Sequence, residues 1–266
     1  MLSVPNSLKK APIKVLVLTL PQSEDRQTRI EAALTNAGID FEFFWGVDGR
    51  TDRDPVFAMY DKPKRVWLKG QPMSQGQLGC FASHYNIWKR CVEEGANYVV
   101  LEDDVLFDAP LLKQFLEDAL GFPRRLECLR LFKNKTRNHK TTNLGSTGRF
   151  DILRYTKGPM STMGYYITPA AAEKFLVASN PIFLSVDIYM DRYWVNGVQC
   201  LGVQPAIVTH DYGFESIIGY GEKVGRRPLF VRLIREAFTL TERLRRFYYN
   251  LRVGNVAIEK KILGDD

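Results

Sequence analysis

No stretch of this 266-residue chain approaches eighteen uninterrupted apolar residues, which is about what a helix needs to cross a bilayer. The first apolar run, Ile13 to Leu20, is far shorter. The segment before it, Met1 to Pro12, carries Pro5, Lys9, Lys10 and Pro12 instead of a signal core and cleavage site, so no secretory signal is read there. Cysteine is sparse: Cys80, Cys91, Cys128 and Cys200 are scattered, with no Cys-x-x-Cys spacing. That argues against a zinc site or a disulfide framework and favours reduced, buried thiols in a cytoplasmic protein. A dinucleotide fingerprint is missing too. Gly219-Tyr220-Gly221 does not continue as GxGxxG and follows no clear strand. No internal repeat is visible.

What is abundant is positive charge, a formal +7, alongside a hydrophobic content of 45% that suffices for a sizeable core. The charge points to an anionic partner. Much of it sits in the tail, where Arg226, Arg227, Arg232, Arg235, Arg243, Arg245, Arg246 and Arg252 face only Glu236, Glu242 and Glu259. Leu229, Phe230, Leu233, Ala237, Leu240, Leu244, Phe247 and Tyr248 recur there at helical spacing. The expectation is one domain over residues 1–221 and a basic amphipathic helix pair over 222–266. Such a tail suits an anionic membrane surface or a homo-oligomer interface. Its aromatics form a stripe and not a stacking platform, so nucleic acid is not the expected partner.

Along the chain, Ile13 to Leu20 reads as a buried strand. A helix follows from Ser23 to Gly38, then a second strand from Phe41 to Trp45, which makes a β-α-β start and an α/β sheet the leading expectation. Asp52 to Pro72 reads as loop or short helices. Ser74 and Gln77 stand in capping-box spacing and open a helix that Gly95 closes. Later come a helix over Asp108–Leu120, a strand over Leu126–Phe132, and a polar mobile loop or lid over Lys133–Gly148. Gly164–Ile167 reads as a strand, with a helix started by Thr168-Pro169. A further helix opens at Ser185 and contains Asp191 and Trp194. The last strand, Cys200–Val208, ends at Thr209-His210.

The densest chemistry is in Tyr98-Val99-Val100-Leu101-Glu102-Asp103-Asp104. Three carboxylates cannot follow an apolar strand into the core unpaired. They belong at the carboxyl edge of the sheet, where α/β folds bind ligands. If the strand stays extended, Glu102 and Asp104 point the same way. A hard cation, Mn²⁺ or Mg²⁺, would satisfy them and share substrate phosphates; the alternative is a solvated turn. His210, at another strand end, is either a third ligand or a structural histidine. Asp187, with Asp191 one turn on, is either a helix cap or a general base. Ser83-His84 is either a phosphate contact or a satisfied interior pair.

Several segments in order are similar to glycosyltransferase family 25. They are Val17-Leu18-Thr19-Leu20 with Arg26 and Arg29, Gly46-Val47-Asp48-Gly49, Gly76-Gln77-Leu78-Gly79-Cys80 with Ser83-His84, Leu101-Glu102-Asp103-Asp104, Met163-Gly164-Tyr165-Tyr166-Ile167 with Ala171-Ala172, and Val186-Asp187. The resemblance covers about Ile13 to His210. It implies a GT-A-type fold, Rossmann-like with a mixed central sheet and flanking helices. It also implies metal-dependent, inverting transfer of a hexose, galactose being the commonest, from a UDP-sugar to a lipooligosaccharide-type glycan or glycolipid. Glu102-x-Asp104 then stands where the family has Asp-x-Asp, with Glu in place of the first Asp. On that resemblance Asp104, His210 and Glu102 are the metal residues. Thr19, Leu20, Arg26, Ser83, His84, Glu102 and Asp103 surround the donor. Asp187, with Asp191 second, is the base, and cations of the Lys133–Arg149 loop close over the diphosphate. The setting it implies is the cytoplasmic face of an inner membrane. A metal-independent glycoside hydrolase and a non-catalytic nucleotide- or glycan-binding protein are the rivals.

Overall fold

The computed structural model describes residues 12–132, 140–211 and 229–254. An eight-stranded mixed sheet forms the centre, in the order β2-β1-β3-β8-β5-β9-β7-β6. Its strands are β1 (Ile13–Thr19), β2 (Glu42–Trp45), β3 (Asn97–Glu102), β5 (Cys128–Arg130), β6 (Thr141–Thr147), β7 (Phe150–Tyr155), β8 (Gly164–Ile167) and β9 (Leu201–Gln204). β2, β1 and β3 run parallel. β8 runs against both β3 and β5, and β9 is parallel to β5. A two-stranded sheet joins β4 (Val105–Phe107) to β10 (Val208–His210). The Rossmann-like β-α-β start and the mixed sheet agree with the expected architecture.

Helices cover both faces. α1 (Glu24–Asn36) and α4 (Ala109–Ala119) close one side, where Ile30, Leu34, Leu112 and Phe115 meet Val15, Val17, Val99 and Leu101. α3 (Gln75–Glu94), α5 (Pro169–Ala178) and the short α6 (Val186–Met190) close the other, around Trp88, Phe81, Phe175 and Tyr189. β3 sends Val99 and Leu101 into one layer and Tyr98 and Val100 into the other, so all four are buried, as an interior strand requires. α3 starts as its sequence dictates: Ser74 and Gln77 form a complete capping box, and Gly95 ends the helix in the left-handed region at φ +61°. α2 (Lys62–Lys69) falls within the segment expected to be irregular or made of short helices.

Four expectations change. Thr141 to Thr147 is no loop but the edge strand β6, in a hairpin with β7. Its Thr- and Asn-rich composition reflects an edge that meets water, while Leu144 alone packs into the core. The helix opened at Ser185 breaks at Asp191-Arg192 into α6 and α7 (Tyr193–Asn196); the break sends the Asp191 side chain to Arg130 and the Arg192 side chain to Glu242. The strand expected over Cys200–Val208 is two strands, β9 and β10, separated around Pro205, which has no N–H to donate to a ladder. β3 does not remain extended to Asp104; it ends at Glu102, and Asp103-Asp104 turn the chain into β4. In the tail one helix, α8 (Leu229–Gly254), is described. Arg226, Arg227, Glu259, Gly219-Tyr220-Gly221 and residues 133–139 of the expected lid lie outside the described residues.

Candidate active site

The carboxyl ends of β1, β2 and β3 and the amino end of β8 open on one cavity. Leu18, Thr19, Leu20 and Arg26 line it from the first β-α unit, and Gly46 to Arg50 from the loop after β2. Glu102, Asp103, Asp104, Ser161, Met163 and His210 close the opposite wall, and Cys80 and Ser83 of α3 line it as well. This is the edge at which open α/β sheets bind ligands.

The three acids have different surroundings. Asp103 is buried and accepts hydrogen bonds from Thr19 Oγ1 at 2.6 Å and Arg26 Nη1 at 3.2 Å. Asp104 stands 3.4 Å from the same Arg26 nitrogen. Burial pushes the Asp104 carboxyl up to about 6, the charges of Glu102 and Asp103 add to that, and Arg26 and His210 oppose it. Glu102 accepts from the Thr162 hydroxyl, with His84 Nε2 3.7 Å behind it. Burial works against its charge, but His84, Thr162 and His210 hold its pKa below the ordinary value. His210 reaches this wall because β10 pairs with β4, setting His210 opposite Val105. Its Nδ1 lies 2.8 Å from the Asp211 carbonyl, and the Asp211 amide donates to the Asp104 carbonyl at 3.2 Å.

Ser83 and His84 have different surroundings. Ser83 is an interior brace that still borders the cavity: its hydroxyl donates to the Gly79 carbonyl and accepts from the Val47 amide, both at 2.8 Å. His84 is fully buried, with Nδ1 2.8 Å from the Tyr165 hydroxyl, and sits behind Glu102 instead of lining the cavity. The glycines of both neighbouring motifs are explained by contact. A Cβ on Gly49 would lie 2.0 Å from the Gln75 carbonyl oxygen, and one on Gly79 would lie 2.4 Å from that of Val47. The loop after β2 is therefore pressed against the first turns of α3, backbone on backbone.

Asp187 and Asp191 do not line this cavity. Asp187, half-buried at the start of α6, is near enough for its charge to act on the Cys80 thiol, which burial, Glu102 and Asp187 together push well up. Asp191 is buried. It accepts from Arg130 Nη2 at 3.1 Å and from the Met160 amide at 2.8 Å. Asp48 and Arg50, which the sequence does not mark as site residues, form a two-point ion pair at 2.8 and 2.7 Å on the cavity wall, with Gln22 also donating to Asp48. Their signal was the Gly46-Val47-Asp48-Gly49 segment. Thr162 and Ser161 gave none.

Among the described residues no group of three or more His, Cys, Asp or Glu side chains converges as a ready metal cage. The donor chemistry nevertheless fits a hard cation completed by substrate oxygens: a carboxylate disfavoured as an anion by burial and a neighbouring acid is what a divalent charge would relieve.

The family described as glycosyltransferase family 25 (LPS biosynthesis protein) matches residues 12–190. A rat protein called probable inactive glycosyltransferase 25 family member 3 is 26% identical over 223 residues, covering 74% of this chain and 38% of its own length. Zebrafish procollagen galactosyltransferase 1 is 28% identical over 232 residues, covering 77% and 38%. The chain thus spans a little over a third of the length of these relatives. A solved glycosyltransferase involved in glycosylation of the major capsid of PBCV-1 covers 86% of the chain at a TM-score of 0.41 and 9% identity.

Proposed function

The chain belongs to glycosyltransferase family 25, and from that premise we propose that it transfers a hexose, galactose first, from a UDP-sugar to a lipopolysaccharide-type glycan with inversion. The observation that carries the reading is that Glu102, Asp104 and His210 all line one cavity at the carboxyl ends of β1 and β3. Asp104, with Glu102 and His210 beside it, would hold Mn²⁺ or Mg²⁺, whose chemistry there is to neutralise the charge that gathers on a diphosphate leaving group. Thr19, Leu20 and Arg26 border the nucleotide side, and the Asp48-Arg50 pair stiffens the loop after β2. Asp187 is the base for the acceptor hydroxyl, because its charge reaches the cavity-lining Cys80, whereas Asp191 is tied into an ion pair with Arg130. Asp191, held by Arg130, positions the chain instead.

A second reading, a binding protein without turnover, is favoured by one observation: the rat relative is named as probably inactive. The exposed apolar side chains of α8 and its arginines support attachment to an anionic membrane surface.

The test is release of UDP from a panel of UDP-sugars with and without Mn²⁺. Turnover with UDP-galactose that stops in Asp104→Ala and in chelator is expected. Undiminished turnover in chelator overturns the metal assignment, and UDP binding with no turnover on any donor or acceptor selects the binding protein. Asp187→Asn should retain UDP affinity and lose transfer by at least about 100-fold; near-normal transfer removes Asp187 as the base.

A further inference from the structure

A second cavity lies on the other side of the segment that follows β7. α8 forms one wall, through Phe238, Thr239, Glu242, Arg243 and Arg246; the end of α2, the segment after β7 and the stretch from α6 to α7 form the rest. Among the described residues, five cationic side chains, Lys69, Lys157, Arg192, Arg243 and Arg246, line it with two carboxylates, Asp191 and Glu242.

Both carboxylates are already engaged. Glu242 takes two bonds from Arg192, at 2.6 and 2.9 Å. Asp191 is held by Arg130, which lies behind the cavity wall. Among the described residues, Lys69, Lys157, Arg243 and Arg246 thus outnumber the lining carboxylates, neither of which hydrogen-bonds to any of the four. Lys69 shows the imbalance: burial, then the charge of Arg65, pull its pKa below the ordinary value, with Arg192 and Arg235 adding to the pull and Glu242 opposing. Its Nζ rests 5.3 Å from the Phe238 ring, and the Arg246 guanidinium 6.0 Å from Trp194. Cations gathered beside aromatic faces in a concave site are suited to a sugar that carries an oxyanion.

The cavity also adjoins the donor site. Met160 lines the second cavity and its neighbour Ser161 lines the first. These two are the non-glycine residues with positive φ among the described residues, at +55° and +87°. That rare conformation is held from below: the Met160 amide donates to Asp191, and a Cβ on Gly158 would lie 2.0 Å from the Asp191 carboxyl carbon. The thin wall between the cavities is thus clamped by the buried Asp191-Arg130 pair.

We propose that this second cavity is an acceptor subsite for an oxyanion, a phosphate or carboxylate, borne on the sugar that receives the transferred hexose. Its role as an acceptor subsite rests on the glycosyltransferase reading; the anion binding itself does not. Lys157 and Arg243, both exposed at the rim, make the first contacts, and Lys69 and Arg246 hold the anion deeper.

The experiment is calorimetric titration of the full chain with glucose 6-phosphate, glucuronate, glucose and inorganic phosphate, each with and without saturating UDP. Glucose 6-phosphate or glucuronate should bind in both conditions, more tightly than inorganic phosphate, while glucose should give no heat. The rim variant Lys157→Glu/Arg243→Glu should weaken that binding at least tenfold and leave UDP affinity unchanged. Binding lost on adding UDP, or unchanged in the rim variant, overturns the site. Equal affinity for inorganic phosphate overturns its assignment to a sugar. If UDP fails to bind at all, the glycosyltransferase reading fails, and the titration without UDP still reads the anion site through the rim variant.

Discussion

Thr19 Oγ1 donates to Asp103 at 2.6 Å, joining the last residue of β1 to the turn after β3. The bond is buried, and Arg26 closes it from α1. It separates two adjacent acids by role: Asp103 fixes the turn, and Asp104 is left beside Glu102 at the cavity. Removing one partner of a buried charge pair costs about 3–5 kcal/mol. Asp103→Ala should therefore lower unfolding free energy by about 3 kcal/mol in urea melts. Asp104→Ala should cost far less and instead abolish UDP-sugar turnover. Equal stability losses in the two variants would contradict the division.

Gly49 and Gly79 lie where two backbones touch, so any side chain must push the loop after β2 away from α3. Gly79→Ala should cost more than about 4 kcal/mol, the range of severe core defects. Gly95→Ala meets no atom within 4 Å but sits at φ +61°, so it should cost about 1 kcal/mol through backbone strain alone. Thermal unfolding of the two variants side by side checks the contrast; a milder Gly79→Ala would mean that the loop is free to move.

Much of this frame can be read from the sequence, because local rules and global packing agree there. Ser74, Gln77 and Gly95 bound α3, Thr168-Pro169 starts α5, and the unbroken apolar run before Glu102 places the acids at a sheet edge. The misread segments are those governed by distant partners. β6 looks like a loop until its pairing with β7 is known. The helix after Ser185 reads as one piece because its break depends on Arg130 and Glu242, 61 and 50 residues away from their partners. His84 carries no sequence sign that it will lie behind Glu102 instead of in the cavity.

The Asp48-Arg50 pair gives a pH test. The Arg50 hydrogen bond holds the Asp48 carboxyl at about 2, against burial, below its ordinary 3.8. A carboxylate with a lowered folded pKa contributes stability that is complete above its unfolded value and lost as pH falls through the folded one. The window is therefore about pH 4 to 2. Arg50 is half exposed, so solvent screening reduces the effect to about 1 kcal/mol. Wild type should lose about that much more stability than Asp48→Asn between pH 5 and 2 in urea unfolding. Parallel losses would show that the pair contributes nothing.

α8 turns its apolar stripe outward. Phe238, Glu242, Tyr249 and Asn250 face the body, meeting Phe183, Arg192 and Tyr193. Leu233, Leu240, Leu244, Phe247 and Leu251 recur at three-, four- and seven-residue steps and are all exposed, Leu233 to 70%, with Leu244 and Phe247 bordering an open groove beside Trp194 and Val195. Arg232, Arg245 and Arg252 are exposed on the same helix, against exposed Glu236. A second copy would set this arginine-rich surface against itself, whereas anionic headgroups would neutralise it, each arginine near the surface contributing about 1 kcal/mol. The full chain should therefore float with liposomes containing phosphatidylglycerol and not with phosphatidylcholine alone. Flotation should weaken as salt rises and disappear in Leu240→Glu/Leu244→Glu. A chain that stays in solution with both lipids, and sediments as a dimer that the same variant splits, would assign the stripe to a second copy instead.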